Sequence, residues 1–403
     1  MLPHQLPPGG NGKIHLLHEL KIERTSKYLC IKKPPKETTD PYQLNITMSL
    51  KPYIETLIIG DRHLTADEAC DAFSVILTKD PPPCQVASLL TLLRARKETP
   101  QEIAGMVRAM NNACHAVKFS DNRKLLDIVG TGGDGADTIN ISTASVVLAA
   151  ACGATVAKAG NRSVSSACGS ADVLEMLEVQ VDLNPTQVIE CVDECGIAFL
   201  FAPVNHPAMN AVAPIRKQLG VRTCFNILGP MTNAASAQHA VIGVFHEELL
   251  ELMADTLKEV GRVDHAVVIH GVGLDEISPL GPATIVEIKN TAPVGEKKVY
   301  DTKIHKFDPL SVNIQRCKVE DLKGGDPAQN AKEFELVLEG GDYETNAKKD
   351  AIVLNAGVGC YVYGLTETIE EGCALARKTL VEGKATEVLK KWKQVSKEIA
   401  ARG

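Results

Sequence analysis

A chain of 403 residues with a formal net charge of −7 lacks the basic surface that a nucleic-acid partner demands. Its 44% hydrophobic and 23% charged residues fit a globular protein with a sizeable core, and its length favours two substructures over one. No apolar run approaches a membrane span, and the 12 cysteines contain no C-x-x-C pair, which points to a soluble protein in a reducing intracellular compartment. Residues 1–47 are rich in Pro, Gly and Lys and are predicted to be a mostly disordered extension. With one Arg, one Ser and several Glu, they make an atypical transit peptide.

From Leu50 to Val117 the pattern is helical. Thr65 with Glu68, and Thr99 with Glu102, read as capping boxes, the second with Pro100 at the first helical position. Between them Val86, Leu89, Leu90, Leu92 and Leu93 form a buried stripe after the Pro81-Pro82-Pro83 break. From Lys124 onward strands alternate with helices, which predicts a parallel sheet covered by helices. The first strand, Leu125–Val129, breaks into Gly130-Thr131-Gly132-Gly133-Asp134-Gly135, and a polar stretch then leads into the apolar helix Ala144–Cys152. A second strand, Ala154–Ala157, ends in Lys158-Ala159-Gly160-Asn161-Arg162. Two loops leaving neighbouring parallel strands at one edge face a common crevice. Backbone amides, a helix N-terminus, Lys158 and Arg162 there favour a phosphorylated ligand. Gly130, Gly132 and Gly135 also match G-x-G-x-x-G, but the helix starts too late for a dinucleotide site. The second strand ends in Lys158 where an acid is required.

Further strands are predicted at Ala240–Phe245 and Ala266–His270, and Phe225–Pro230 leads back to the sheet. Asp275-Glu276 follows the Ala266–His270 strand and so falls in a loop at the same carboxyl edge. Adjacent carboxylates there suit Mg²⁺ shared with water and phosphates, although spacing alone fits a solvated acid pair as well. Ser142 likewise reads as either a phosphate contact or a plain helix cap.

The blocks Gly130-Thr131-Gly132-Gly133-Asp134, Asn140-Ile141-Ser142-Thr143, Lys158-x-Gly160-Asn161-Arg162 and Gly169-Ser170-Ala171-Asp172 resemble the signatures of the anthranilate phosphoribosyltransferases. The likeness runs from about Met48 to the C-terminus. It implies an α/β protein of the nucleoside phosphorylase/phosphoribosyltransferase type, with a small all-helical domain and a larger α/β domain built on a mainly parallel sheet. The implied boundaries are 48–117, joined by about 205–222, for the helical domain, and 118–204 with 223–403 for the catalytic domain. The resemblance further implies a homodimer formed through the helical domain. The implied reaction moves the phosphoribosyl group of 5-phosphoribosyl 1-pyrophosphate (PRPP) to the amine of anthranilate, with Mg²⁺, in tryptophan biosynthesis. Alternatives are a pyrimidine nucleoside phosphorylase of the same fold and a non-catalytic phosphosugar-binding relative.

Carried onto this chain, the resemblance makes Lys158 and Arg216 the catalytic pair. Gly130, Gly133, Asp134, Thr138, Asn140, Ile141, Ser142, Thr143, Lys158 and Ser170 contact PRPP. Gly130, Asn161, Arg216 and His206 face anthranilate, a carboxylate that calls for a guanidinium fork. Ser142, Asp275 and Glu276 hold the metal. Two positions depart from the family pattern: Ala159 stands where His is frequent, and Asn210 where Lys is frequent. The Ser165-Ser166-Ala167-Cys168-Gly169 run resembles plant and cyanobacterial members, which implies a plastid location; otherwise the cytoplasm is expected.

Overall fold

The structure is a computed structural model that describes residues 49–163, 167–341 and 346–402. Contacts separate Met1–Asn45 from Ile46–Gly403, and every described residue belongs to the second unit. The extension expected at 1–47 lies outside the described residues, as do Ser165 and Ser166.

Four helices come first: α1 (Lys51–Ile59), α2 (Ala66–Thr78), α3 (Pro83–Arg96) and α4 (Pro100–Asn112). Both capping boxes form. Glu68 N–H donates to Thr65 Oγ1 at 3.2 Å while Thr65 N–H donates to Glu68 Oε2 at 2.9 Å, and Thr99 and Glu102 repeat the exchange. Each pair satisfies two amides that a helix start leaves without partners.

Among the described residues seven strands form one sheet: β1 (Leu126–Gly130), β2 (Val156–Gly160), β3 (Ile197–Phe201), β4 (His239–Gly243), β5 (His265–Gly271), β6 (Ala283–Asn290) and β7 (Tyr300–Phe307). Their order is β3-β2-β1-β4-β5-β6-β7, parallel through β5 and antiparallel at β6 and β7. The sheet partitions two hydrophobic cores, and successive residues of β4 and β5 alternate between them. Val241, Val267 and Ile269 pack with helix α5 (Ile141–Ala151) and helix Ala347–Tyr363. Ala240, Ile242, Ala266 and Val268 belong to the core built by the helix Leu249–Val260 and by α1–α4. Both faces are covered, so these strands read as continuous apolar runs. The second core also takes in Val212, Phe225 and Leu228, with the Phe225 ring 5.3 Å from that of Phe73.

One local expectation is corrected. The second strand spans Val156–Gly160, so Lys158 lies within it and not in the loop beyond. The segment Phe225–Leu228 is a short helix running into a 3₁₀ turn.

Glu287 of β6 ties the antiparallel edge to helix Ala347–Tyr363. Its Oε1 accepts from Tyr361 Oη at 2.6 Å and lies 2.7 Å from His265 Nε2. The His265 hydrogen bond, ahead of Tyr361, holds this carboxyl at about 2, below its ordinary 4.5. A depressed carboxyl contributes stability that is complete above the unfolded-state value and is lost as pH falls through the folded one. Glu287→Gln should therefore flatten the loss of stability between about 4.5 and about 2, measured by denaturant unfolding at stepped pH.

Candidate functional site

The site is seated on glycines at the ends of three neighbouring strands. Gly130 closes β1 and pairs in register with Gly243, which closes β4; Gly271 closes β5. A Cβ on Gly130 would lie 2.2 Å from Asp275 Oδ2, one on Gly243 1.5 Å from the Asp275 carbonyl oxygen, and one on Gly271 2.1 Å from that of Glu276. No side chain fits at any of the three. β1 and β4 flank the point where the sheet order reverses, the place where open α/β sheets bind ligands. The acid pair is therefore pressed onto the sheet at its switch point.

The acid pair is held from both sides. Gly271 and Leu274 exchange backbone hydrogen bonds of 3.0 and 2.9 Å across a tight turn. Just beyond it, Ile277 is clamped by Asn355, which accepts from its N–H at 3.1 Å and donates to its carbonyl at 2.7 Å. The glycine loop meets the pair from above. Gly132, with φ of +67°, donates its N–H to Asp275 Oδ2 at 2.6 Å. At the N-terminus of α5, Ser142 N–H donates to Glu276 Oε1 at 3.2 Å. A helix N-terminus favours a carboxylate there as it would a phosphate.

Lys158 completes the cluster from β2. It is 1% exposed, and its Nζ donates to the carbonyl of Ile128 at 2.8 Å. Burial lowers its pKa, opposed by the charges of Asp127, Glu276 and Asp275. Asp275 is pushed up to about 7, first by burial and then by the nearby charge of Asp134. Burial, then Asp275, raises Glu276 in the same way. One ammonium thus faces Asp127, Asp275 and Glu276, with Asp134 beside the acid pair, and this surplus of negative charge fits a divalent cation. Among the described residues no three His, Cys, Asp or Glu side chains form a metal cage by themselves.

A model of the glycosyl transferase family α/β domain matches residues 122–386, and one of the helical bundle domain of the same family matches 51–114. The anthranilate phosphoribosyltransferase of Chlamydia felis is 42% identical over 87% of this chain and 97% of its own. The chain belongs to the anthranilate phosphoribosyltransferase family.

The crystal structure of the family member from Thermus thermophilus, 41% identical, superposes with a TM-score of 0.77 over 86% of this chain and 99% of that one. The Saccharomyces cerevisiae enzyme in complex with PRPP and Mg, 27% identical, gives 0.78 over 87% and 99%. The fold is that of the family, a small helical part and a larger α/β part with a mostly parallel sheet. None of these relatives bears on the plastid expectation. No described helix is long and apolar enough to cross a membrane.

Against the family expectations, contacts join Gly130, Gly132, Ser142, Asp275 and Glu276, and electrostatic coupling adds Asp134 and Lys158. Thr143 Oγ1 donates to Ser170 Oγ at 3.0 Å, which places Ser170 beside the start of α5. Thr138 forms an isolated bridge with Lys323. Asn140 precedes α5 without capping it, because its side chain donates to the Cys168 carbonyl and accepts from Asn330. Ile141 is buried and gives its N–H to the carbonyl of Ile139. Asn161 Oδ1 accepts from the Arg162 N–H at 2.8 Å. Arg162 itself is engaged by Glu175 and Asp172, which leaves it ill suited to a phosphate.

Arg216 and His206 stand on other elements. Arg216, on the helix Ala213–Leu219, lies 5.4 Å over the Phe225 ring, and its guanidinium has no hydrogen bond or ion pair among the described residues. His206 Nε2 donates to the carbonyl of Thr232 at 2.7 Å, while its buried Nδ1 has no partner among the described residues. Burial lowers the imidazole's pKa, so it is a neutral group.

One cation escaped the sequence reading. Arg222 stacks 3.8 Å over the Phe245 ring and donates to the carbonyl of Gly133, so it fastens the chain after Ala213–Leu219 to the glycine loop. Gly243 and Gly271 were missed too, although strands that close on glycine are the local signal of a close backbone approach.

Proposed function

We infer that this chain transfers the phosphoribosyl group of PRPP to the amine of anthranilate, giving N-(5-phosphoribosyl)anthranilate and pyrophosphate in tryptophan biosynthesis. The observation that carries this reading is the convergence of the glycine turn, Lys158 and Asp275-Glu276 at one switch point. The solved yeast complexes with PRPP and Mg and with 4-fluoroanthranilate support it.

In the reaction the C1–O bond to pyrophosphate breaks as the C1–N bond forms, and the departing diphosphate keeps the electron pair. Asp275, Glu276 and Ser142 would hold Mg²⁺, which when bound would supply positive charge against the leaving diphosphate. Gly130, Gly133, Asp134 and the segment from Thr138 to Thr143 line PRPP, with Ser170 offering a hydroxyl. Lys158 supplies fixed positive charge beneath the acid pair, and its burial spares the site any reorganisation during transfer. An arylamine is nucleophilic as its free base, so positioning matters more than a strong general base.

Arg216 is the receptor for the anthranilate carboxylate, assisted by Asn161, His206 and the backbone of Gly130. A half-buried guanidinium without a counter-ion suits such a guest, since burying it unpaired is costly. Arg216→Ala should raise the KM for anthranilate by roughly tenfold or more and leave that for PRPP nearly unchanged. Equal changes in both, from steady-state kinetics, would remove Arg216 from this role.

The same reading assigns residues 48–117 and about 205–222 to a helical domain, and 118–204 with 223–403 to the catalytic domain. It takes the chain as a homodimer through the helical domain, where Ile58 and Ile59 are 65% and 73% exposed at the end of α1. The deciding experiment mixes purified protein with anthranilate, PRPP and Mg²⁺ and follows anthranilate fluorescence. The signal should fall, stop falling on chelation, and resume with added Mg²⁺. Folded protein that consumes no anthranilate under any metal condition would overturn the proposal.

A further inference from the structure

The ladder between β1 and β2 stops early, and the groups that should continue it are occupied by side chains. β1 and β4 pair at five positions, as do β2 and β3. β1 and β2 pair only at Leu126 and Val156. The next rungs of a parallel ladder would join Ile128 N–H to the Ala157 carbonyl and Ala159 N–H to the Ile128 carbonyl. In place of these, the Ala157 carbonyl accepts from Asn233 Nδ2 at 2.8 Å. The Ala159 N–H donates to Asp127 Oδ1 at 3.2 Å, and the Ile128 carbonyl accepts from Lys158 Nζ at 2.8 Å. Asn233 Nδ2 also donates to Asp127 Oδ2 at 2.7 Å, which closes the network.

Three polar side chains therefore engage three of the four backbone groups of those two rungs at the carboxyl end of both strands, the end that carries the glycine loop and Lys158. Buried backbone groups find partners in nearly every native structure. Here side chains stand between the two strand ends, so the ends are joined through Asp127, Lys158 and Asn233 and not directly. Asp127 and Asn233 are 1% and 2% exposed, and neither reaches solvent. Asn233 is itself fixed, because its Oδ1 accepts from the Ala235 N–H at 2.9 Å. Burial raises the Asp127 carboxyl, against the opposing charge of Lys158 and the Asn233 hydrogen bond. A buried charge of this kind is retained only where it is paired.

We propose that Asp127 and Asn233 are positioning residues that hold the ends of β1 and β2 open, so that the glycine loop after β1 and the loop after β2 stand on opposite lips of the PRPP crevice with Lys158 fixed beneath them. This rests on the reading of the site given above. Neither residue touches substrate; both act through Lys158, Ala159 and the end of β1. Their effect falls on PRPP and not on anthranilate.

The test compares Asp127→Ala, Asn233→Ala, the double variant and the near-isosteric Asp127→Asn, each checked for folding by circular dichroism. Either alanine should lower kcat/KM for PRPP by about tenfold to a hundredfold with the KM for anthranilate within about two-fold. The double variant should be little worse than the poorer single one, because the two act as a unit. Asp127→Asn can keep only one of the two hydrogen bonds and should fall between wild type and alanine. If Asp127→Ala fails to fold, Asp127→Asn and Asn233→Ala carry the comparison. Folded variants with wild-type PRPP kinetics would overturn the proposal, and so would parallel losses for both substrates. Wild-type protein without turnover would refute the functional reading alone. The crystal structure of the double variant then decides: closure of Ala159 N–H onto the Ile128 carbonyl supports the wedge, and an unchanged strand separation overturns it.

Discussion

Lys158→Met should lower kcat/KM for PRPP by about 100- to 1,000-fold, the scale on which a single preorganised charge contributes to a transition state. Methionine keeps the length and apolar stem of the lysine, so the packing beneath the acid pair survives while the charge goes. The ammonium is 1% exposed and feels Asp127, Glu276 and Asp275 together. Without it, carboxylates already raised by burial and mutual repulsion lose their nearest compensation. Mg²⁺ should then bind more weakly, if at all, because those carboxylates take up protons more readily. The KM for anthranilate, whose proposed receptor Arg216 lies on the helix Ala213–Leu219, should hardly change. Steady-state kinetics in both substrates checks this, and a variant with wild-type PRPP kinetics would remove Lys158 from the machinery.

Gly243→Ala is the second large effect. Its Cβ would sit 1.5 Å from the carbonyl oxygen of Asp275 and 2.4 Å from the carbonyl carbon, both backbone atoms that cannot rotate away. The acid pair must retreat or the strand must bend. Displacement by about 1 Å costs on the order of 100-fold in rate, and overpacking adds about 1–3 kcal/mol of lost stability. Gly229→Ala is the matched control, since an added Cβ meets nothing within 4 Å there. Kinetics and thermal melting of the two variants should diverge sharply. Similar behaviour would mean that the seat under Asp275 tolerates a methyl group.

Much of the site was legible because its signals are local. The capping boxes at Thr65 and Thr99, the Gly130–Gly135 turn, the helix that follows it and the Asp275-Glu276 loop each follow from adjacent residues and their backbone preferences. What was not legible depends on register. The hydrogen bond from Gly132 to Asp275 joins positions 143 apart, and only the parallel pairing of β1 with β4, and of β4 with β5, brings them together. Lys158 was placed in a loop because a charged residue seldom belongs inside a central strand. Its burial makes sense only once Asp127 and the Ile128 carbonyl are seen beside it. Arg162 misled for the opposite reason: its partners Asp172 and Glu175 lie on the next helix, Ser170–Met176, and neutralise it. Arg222 carried no motif at all.

The outer margin of the sheet has a consequence for how copies of this chain can meet. Among the described residues β7 has no strand partner on one side, and its run Tyr300–Phe307 sets Asp301, Lys303, His305 and Lys306 along it. A second such margin laid alongside would strip these charged side chains of water, so end-to-end growth through added strands is disfavoured. The proposed association through the helical surfaces would bury area without extending the sheet.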